Sequence, residues 1–239
     1  MRETEHLSGT QASGRKNSSQ AAVLHDHLDR GLQLIAGNGL PDITEPVRQQ
    51  LICFVELLAK WNKVYNLTAV RDTLQMIDRH LMDSLIMCRW LPEPDAAGAT
   101  AFDVMDLGTG AGLPVLPLAI VRPDLQFLSV ESNGKKTRFQ QQALLQLSID
   151  NVSVANKRVE DISDQAQLVL SRAFTAPEAF LEKARPLCAI GGYVGIMLGH
   201  AERLPTTLDN TFELVELVEV DVPGTDSARH VALCRRQRE

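Results

Sequence analysis

Residues 101–121 read AFDVMDLGTGAGLPVLPLAIV, and this stretch restricts the possible folds more than any other part of the chain. A short apolar run ends on Asp106, glycines follow at 108, 110 and 112, and apolar residues then resume across Pro114 and Pro117. Consecutive apolar positions mark a strand buried on both faces, and closely spaced glycines allow the positive φ angles of a sharp strand-to-helix turn. Strands buried on both faces belong to parallel sheets, whose crossovers cover both sides with helices. The following residues keep that alternation: LQFLSVE and NVSVAN read as strands flanking a helix GKKTRFQQQALLQLS, and AQLVLSRA reads as a fourth strand. A helix from Pro177 to about Leu187 leads to GGYVGIML, and FELVELVEV and RHVALCRR close the chain as strands. The predicted architecture is a doubly wound, mostly parallel α/β sheet with an antiparallel edge pair.

The N-terminal part has a different pattern. Residues 1–20 are polar, lack the apolar core of a signal peptide, and are predicted to be a disordered tail. Residues 21–98 are predicted to form a helical cap. Leu24, Leu28, Leu32 and Ile35 recur at helical spacing until Gly37–Gly39, and a second helix enters through Thr44 as N-cap and Pro46. A third, from Asp72, carries Met76, Ile77, His80, Leu81, Ser84 and Leu85, and LPEPDAAGAT then links the cap to a sheet domain over 99–239. Four cysteines without C-x-x-C spacing and only six histidines argue against a zinc site or a disulfide framework and fit a reducing cytoplasm. No apolar stretch approaches the ~20 residues needed to span a bilayer. The formal charge of −6 argues against nucleic-acid binding by whole-molecule attraction but leaves room for a local basic face. No metal, no membrane contact and a monomeric state are expected.

Glycine turns at the first strand of such a sheet serve two cofactor classes. The dinucleotide fingerprint G-x-G-x-x-G places its third glycine where this chain has Leu113. Asp106 would also repel a pyrophosphate, whereas it attracts an ammonium group. The acid-x-G-x-G-x-G pattern therefore suits a cofactor with a zwitterionic amino-acid tail, S-adenosyl-L-methionine. Glu131 ends the next strand about 20 residues on, where an acid accepts from ribose hydroxyls. In RVED, either Val159 covers adenine and the Glu160 backbone reads its edge, or the segment is a surface loop; spacing alone fits both.

Together, WNKVYNLTAVRD, RHLMDSL, DLGTGAGLP, GKKTRF, RVED, SRAF and the late RH-VAL resemble the RsmG (GidB) family, guanine-N7 methyltransferases of bacterial small-subunit ribosomal RNA. The matching segments run from about Trp61 to Leu233. The resemblance implies a class I methyltransferase (Rossmann-like) sheet of seven strands with an N-terminal helical cap, and S-adenosyl-L-methionine as donor. It also implies a guanine of 16S ribosomal RNA, alone or in the small ribosomal subunit, as substrate in the cytoplasm. It places cofactor contacts at Gly108, Leu113, Val159, Glu160 and Arg172, beside Asp106, Gly110, Gly112 and Glu131 from the motif itself. Where relatives end the fifth strand in Lys-Gly, this chain has Met197-Leu198-Gly199.

Guanine N7 carries a lone pair and no proton, so its methylation needs no general base; alignment of the reacting atoms is the main requirement. Arg172, after the fourth strand, is expected to orient cofactor or base. Arg71, Arg79 and His80 from the cap, with Lys135, Lys136 and Arg138 after the second strand, are expected to meet RNA, and Lys157 and Arg158 form a further basic pair. Two alternatives remain at this level: a non-catalytic RNA-binding or ribosome-assembly factor with the same fold, and a nicotinamide-dependent oxidoreductase.

Overall fold

The computed structural model describes residues 9–94, 100–172, 174–205, 208, 210–225 and 229–237, with the backbone alone described over 9–20. The strand-to-helix turn lies in the middle of a seven-stranded sheet of order β3-β2-β1-β4-β5-β7-β6. Its strands are β1 (Phe102–Leu107), β2 (Phe127–Val130), β3 (Val152–Ala155), β4 (Ala166–Arg172), β5 (Cys188–Leu198), β6 (Phe212–Val220) and β7 (Arg229–Arg236). The first five are parallel, and β7 runs antiparallel to both β5 and β6, as expected. Strand order reverses between β2 and β4, on either side of β1. In open α/β sheets the crevice outside the carboxyl ends at such a reversal is the binding place.

Every position of β1 from Asp103 to Leu107 is buried. Its side chains divide between two cores with the strand period of two: Val104 joins one hydrophobic cluster, Met105 and Leu107 the other. The second cluster holds Phe180, Leu181 and Ala184 of helix α7 (Pro177–Ala184). The first joins α5 (Val115–Val121) and α6 (Gly134–Leu147) to the cap helices α1 (Gly9–Ile35) and α2 (Glu45–Tyr65). Phe54 and Trp61 of α2 pack on Phe139 of α6, with ring centroids 6.2 and 5.8 Å away. Cap and sheet thus share one core. The expected boundary at 98/99 falls among residues outside the described ones.

Helix α1 starts at Gly9, so most of the tail expected to be disordered continues a helix. Once Leu24, Leu28, Leu32 and Ile35 anchor that helix, elongation through polar residues adds one hydrogen bond per residue and needs no buried face. Residues 1–8 of that tail lie outside the described residues. Among the described residues, no helix is long and apolar enough to cross a membrane.

The third cap helix changes pitch along its length. Asp72 caps it, its carboxylate accepting from the Gln75 N–H at 2.9 Å. Short α3 (Thr73–Met76) then widens into a π-helical stretch, Ile77–Met82, before α4 (Asp83–Leu85) and a 3₁₀ stretch, Ile86–Trp90. Thr44 lies at the α2 N-cap position, but its side chain makes no capping bond; Pro46 in the first turn supplies the pre-set φ.

Asp83 ties this helix to the sheet. Its two oxygens accept from Arg172 Nη1 of β4 at 2.8 Å and from Arg229 Nε of β7 at 3.2 Å. The carboxylate is buried while both arginines keep partial contact with water, so the pair is screened only in part. Asp83→Ala is expected to destabilise the protein by about 2–4 kcal/mol in urea unfolding, because it strands two inward-facing cations. Asp83→Asn, which keeps one acceptor, is expected to lose about half as much.

Candidate active site

The turn after β1 needs glycine for two reasons. Gly108, Gly110 and Gly112 have φ of 69°, 65° and 78°. At Gly108 a Cβ would also lie 2.2 Å from Cδ2 of Phe174, so that ring occupies the space a side chain would take. Side chains from β2 and α6 brace the turn. Gln140 Nε2 donates to the Gly110 carbonyl at 2.7 Å, and its Oε1 accepts from Ser129 Oγ at 2.6 Å. Glu131 accepts from the Gly110 N–H through Oε2 at 2.9 Å and from the Asn133 N–H through Oε1 at 2.8 Å.

Outside the carboxyl ends of β1, β2 and β3 lies a crevice of about 500 Å³. Four of the residues expected to bind cofactor line it together: Gly108, Glu131, Val159 and Glu160. Lys136, expected to meet RNA, belongs to this wall, with its Nζ 3.9 Å from Glu131 Oε2. Lys157 and Arg158 line it too. Lys135 and Arg138 are exposed on α6 and lie off the crevice. Glu160 lines the crevice and pairs through its side chain with Lys183.

The other expected cofactor residues lie behind the wall. Gly110 spends its N–H on Glu131. Gly112 is buried, and the Leu113 side chain belongs to the core shared with the cap. Asp106 is fully buried, and among the described residues neither of its oxygens makes a well-formed hydrogen bond. Burial pushes its carboxyl up to about 7, although Thr109 and the charge of Arg172 pull in the opposite direction. A buried carboxylate without a partner is costly, and a cation brought to the turn would relieve it.

Arg172 points toward the cap. Besides Asp83, its Nη1 donates to the Arg79 carbonyl at 3.2 Å. His80, expected at the RNA surface, is buried with both ring nitrogens engaged: Nδ1 with the Arg79 carbonyl at 2.9 Å and Nε2 with Thr68 Oγ1 at 2.8 Å. Burial first, then the charge of Arg172, lowers its pKa to about 4, so the ring is neutral at pH 7. Arg71, also expected to meet RNA, instead staples NLTAVRD, donating to the Asn62 carbonyl at 3.1 Å and to Asn66 Oδ1 at 2.7 Å. Buried Asn62 completes that staple through the Val70 carbonyl and the Thr68 N–H. His80 and Arg71 therefore hold the cap together, because hydrogen-bonding groups near a buried helix are satisfied there before they reach solvent. Arg79 remains exposed.

Two crevice features were missed in the sequence. Phe174 is part of SRAF, but nothing in its spacing places a ring over Gly108. Gln140 is one polar residue on an otherwise amphipathic helix, and its only signal is burial, which a sequence does not display.

The crevice residues fit a nucleoside. Each Glu131 oxygen uses one lone pair on a backbone N–H and keeps another for a hydroxyl donor. Val159 and Phe174 offer apolar surface to a flat ring.

Comparison with known proteins agrees with this geometry. Residues 47–231 match the family model GidB, described as rRNA small subunit methyltransferase G. The chain is 42% identical over 210 residues to ribosomal RNA small subunit methyltransferase G of Neisseria meningitidis serogroup C, covering 85% of this chain and 95% of that protein. It is 40% identical to the protein of the same name from Cellvibrio japonicus, covering 86% of this chain and 94% of that protein. Among solved structures, TrmN from Thermus thermophilus matches with a TM-score of 0.50 at 17% identity, covering 67% of this chain and 53% of that one. That likeness supports the fold alone.

Asp106 and His80 should give opposite pH dependence. Asp106 holds its proton in the folded state up to about 7 but releases it near 3.8 when unfolded, so its contribution falls as pH rises through that window. His80 takes up a proton at about 6.5 when unfolded but only at about 4 when folded, so its contribution falls as pH drops through that window. Each is on the order of 3 kcal/mol. In urea unfolding between pH 4 and 8, Asp106→Asn should steepen the loss of stability toward acid, and His80→Gln should reverse its slope. Parallel profiles for the two variants would refute the assignment.

Proposed function

Because the chain belongs to the family of ribosomal RNA small subunit methyltransferases G, we propose that it transfers a methyl group from S-adenosyl-L-methionine to N7 of a guanine in 16S ribosomal RNA. The observation that carries this reading is the meeting of Gly108, Glu131, Val159 and Glu160 in one crevice at the strand-order reversal. Bound there, the cofactor supplies a methyl carbon made electrophilic by the sulfonium charge. Glu131 would accept from the ribose hydroxyls, Val159 would cover one face of the adenine, and the Glu160 backbone would read its edge. The glycine turn above Asp106 would hold the amino-acid end.

No residue has to remove a proton from the target, because N7 presents its lone pair directly. His80 is unsuited to such a task, with both nitrogens engaged in the cap. Arg172, at the carboxyl end of β4, keeps a positive charge between the cap and the turn. The substrate is taken to be 16S ribosomal RNA within small subunits in the bacterial cytoplasm. Exposed Arg79, Lys135 and Arg138 are the basic residues assigned to RNA contact.

Small subunits from cells lacking this protein, incubated with purified protein and labelled cofactor, should gain one methyl group at a single guanine, located by mass mapping. Glu131→Ala should weaken cofactor binding in calorimetry at least ~10-fold, since it removes two charge-assisted hydrogen bonds. Cofactor binding without transfer to any guanine would instead favour a non-catalytic assembly factor, and protection by NAD alone would favour the oxidoreductase.

A further inference from the structure

A second cleft, of about 540 Å³, opens at the carboxyl ends of β4 and β5. Ser171 and Thr175 line it, while Phe174, between them in sequence, lines the cofactor crevice. The two spaces are therefore neighbours at the carboxyl end of β4. The bed of the second cleft is apolar: Phe180, Ile196 and Leu198 are buried residues of its wall that share one hydrophobic cluster. Two charged side chains line it as well, Glu178 from the first turn of α7 and Arg203 from the 3₁₀ turn Ala201–Arg203. Both are exposed, and among the described residues neither makes an ion pair or a side-chain hydrogen bond.

An apolar bed suits a flat ring, and one carboxylate with one guanidinium defines which ring. Guanine presents two adjacent donors, N1–H and the 2-amino group, beside the acceptor O6, with N7 beyond it. A carboxylate accepts both donors, a guanidinium donates to O6, and N7 is left without a partner, as methylation there requires. Adenine reverses the pattern, placing its N6 amino group against the guanidinium and its N1 lone pair against the carboxylate.

We infer that this cleft receives the target guanine, Glu178 accepting from N1–H and the 2-amino group and Arg203 donating to O6. The inference rests on the guanine-N7 reading above. It makes Glu178 and Arg203 specificity-determining residues, separate from the cofactor crevice.

The test uses the full-length protein and small subunits from cells lacking it. Glu178→Gln and Arg203→Met should each lower kcat/KM by roughly 10–100-fold, with cofactor affinity and thermal midpoint unchanged. Small subunits reconstituted with inosine, which lacks the 2-amino group, at the mapped position should be methylated about 10-fold less well by the unsubstituted protein. Glu178→Ala should be indifferent to that replacement, since the contact is already gone. An undiminished inosine penalty in Glu178→Ala, or wild-type kcat/KM in Glu178→Gln, would overturn the inference. So would an Arg203→Met defect that only flattens the salt dependence, since that is the mark of a phosphate contact. In each of these cases the unsubstituted protein still methylates guanine and the parent reading stands, whereas failure of the unsubstituted protein to methylate any guanine would sink the parent reading itself.

Discussion

The carboxylate of Asp83 decides where the positive charge at the end of β4 resides. Drawn from the cap into the interface, it accepts from Arg172 and Arg229 and so fastens one helix to two strands far apart in sequence. With Arg172 fixed, its charge reaches two buried groups that face it from opposite sides. It lowers the pKa of His80 in the cap and opposes the rise of Asp106 beneath the glycine turn. Without Asp83, the guanidinium would be free to turn away from both. The cap thus adds a charge to an environment that burial dominates at both groups.

A reaction at guanine N7 explains why such a site needs no acid–base pair. The nucleophilic lone pair is already present, so titratable groups near the turn are free to serve the architecture. His80 is kept neutral and used as a two-ended hydrogen-bond spacer between Thr68 and Arg79. Asp106 is kept dry, and burial raises its carboxyl to about 7. Burial sets both states, and burial comes from packing the π-helical stretch and β1 on both sides.

Much of this was legible in the sequence, for identifiable reasons. The turn was legible because three positive φ angles within five residues demand glycine, and β1 because a strand covered on both faces has no polar alternation. Glu131 was legible because the chain length from turn to strand end is fixed by one crossover. The orientation of Arg172 was not, since its partner Asp83 lies 89 residues away and no periodicity records such a pair. Lys136 reads as part of a solvated basic cluster, yet one helical turn places it beside Glu131 while Lys135 and Arg138 point outward. The hydrogen bonds that Arg71 and His80 make within the cap were hidden for a related reason. A cation or imidazole next to a loop looks available until the loop's own carbonyls are counted.

The charge of the whole chain also conceals its distribution. The net charge is −6, yet the crevice gathers three cations beside Glu131 and Glu160. The crevice end carries Lys136, Lys157 and Arg158, while β6, the strand at the opposite edge, exposes Glu213 and Glu219. At physiological salt, charges are screened beyond about 8 Å, so a polyanion near one edge scarcely senses the other. The charges at the crevice therefore act locally, whatever the net charge. The second cleft likewise carries a cation of its own, since Arg203 lines it beside Leu198.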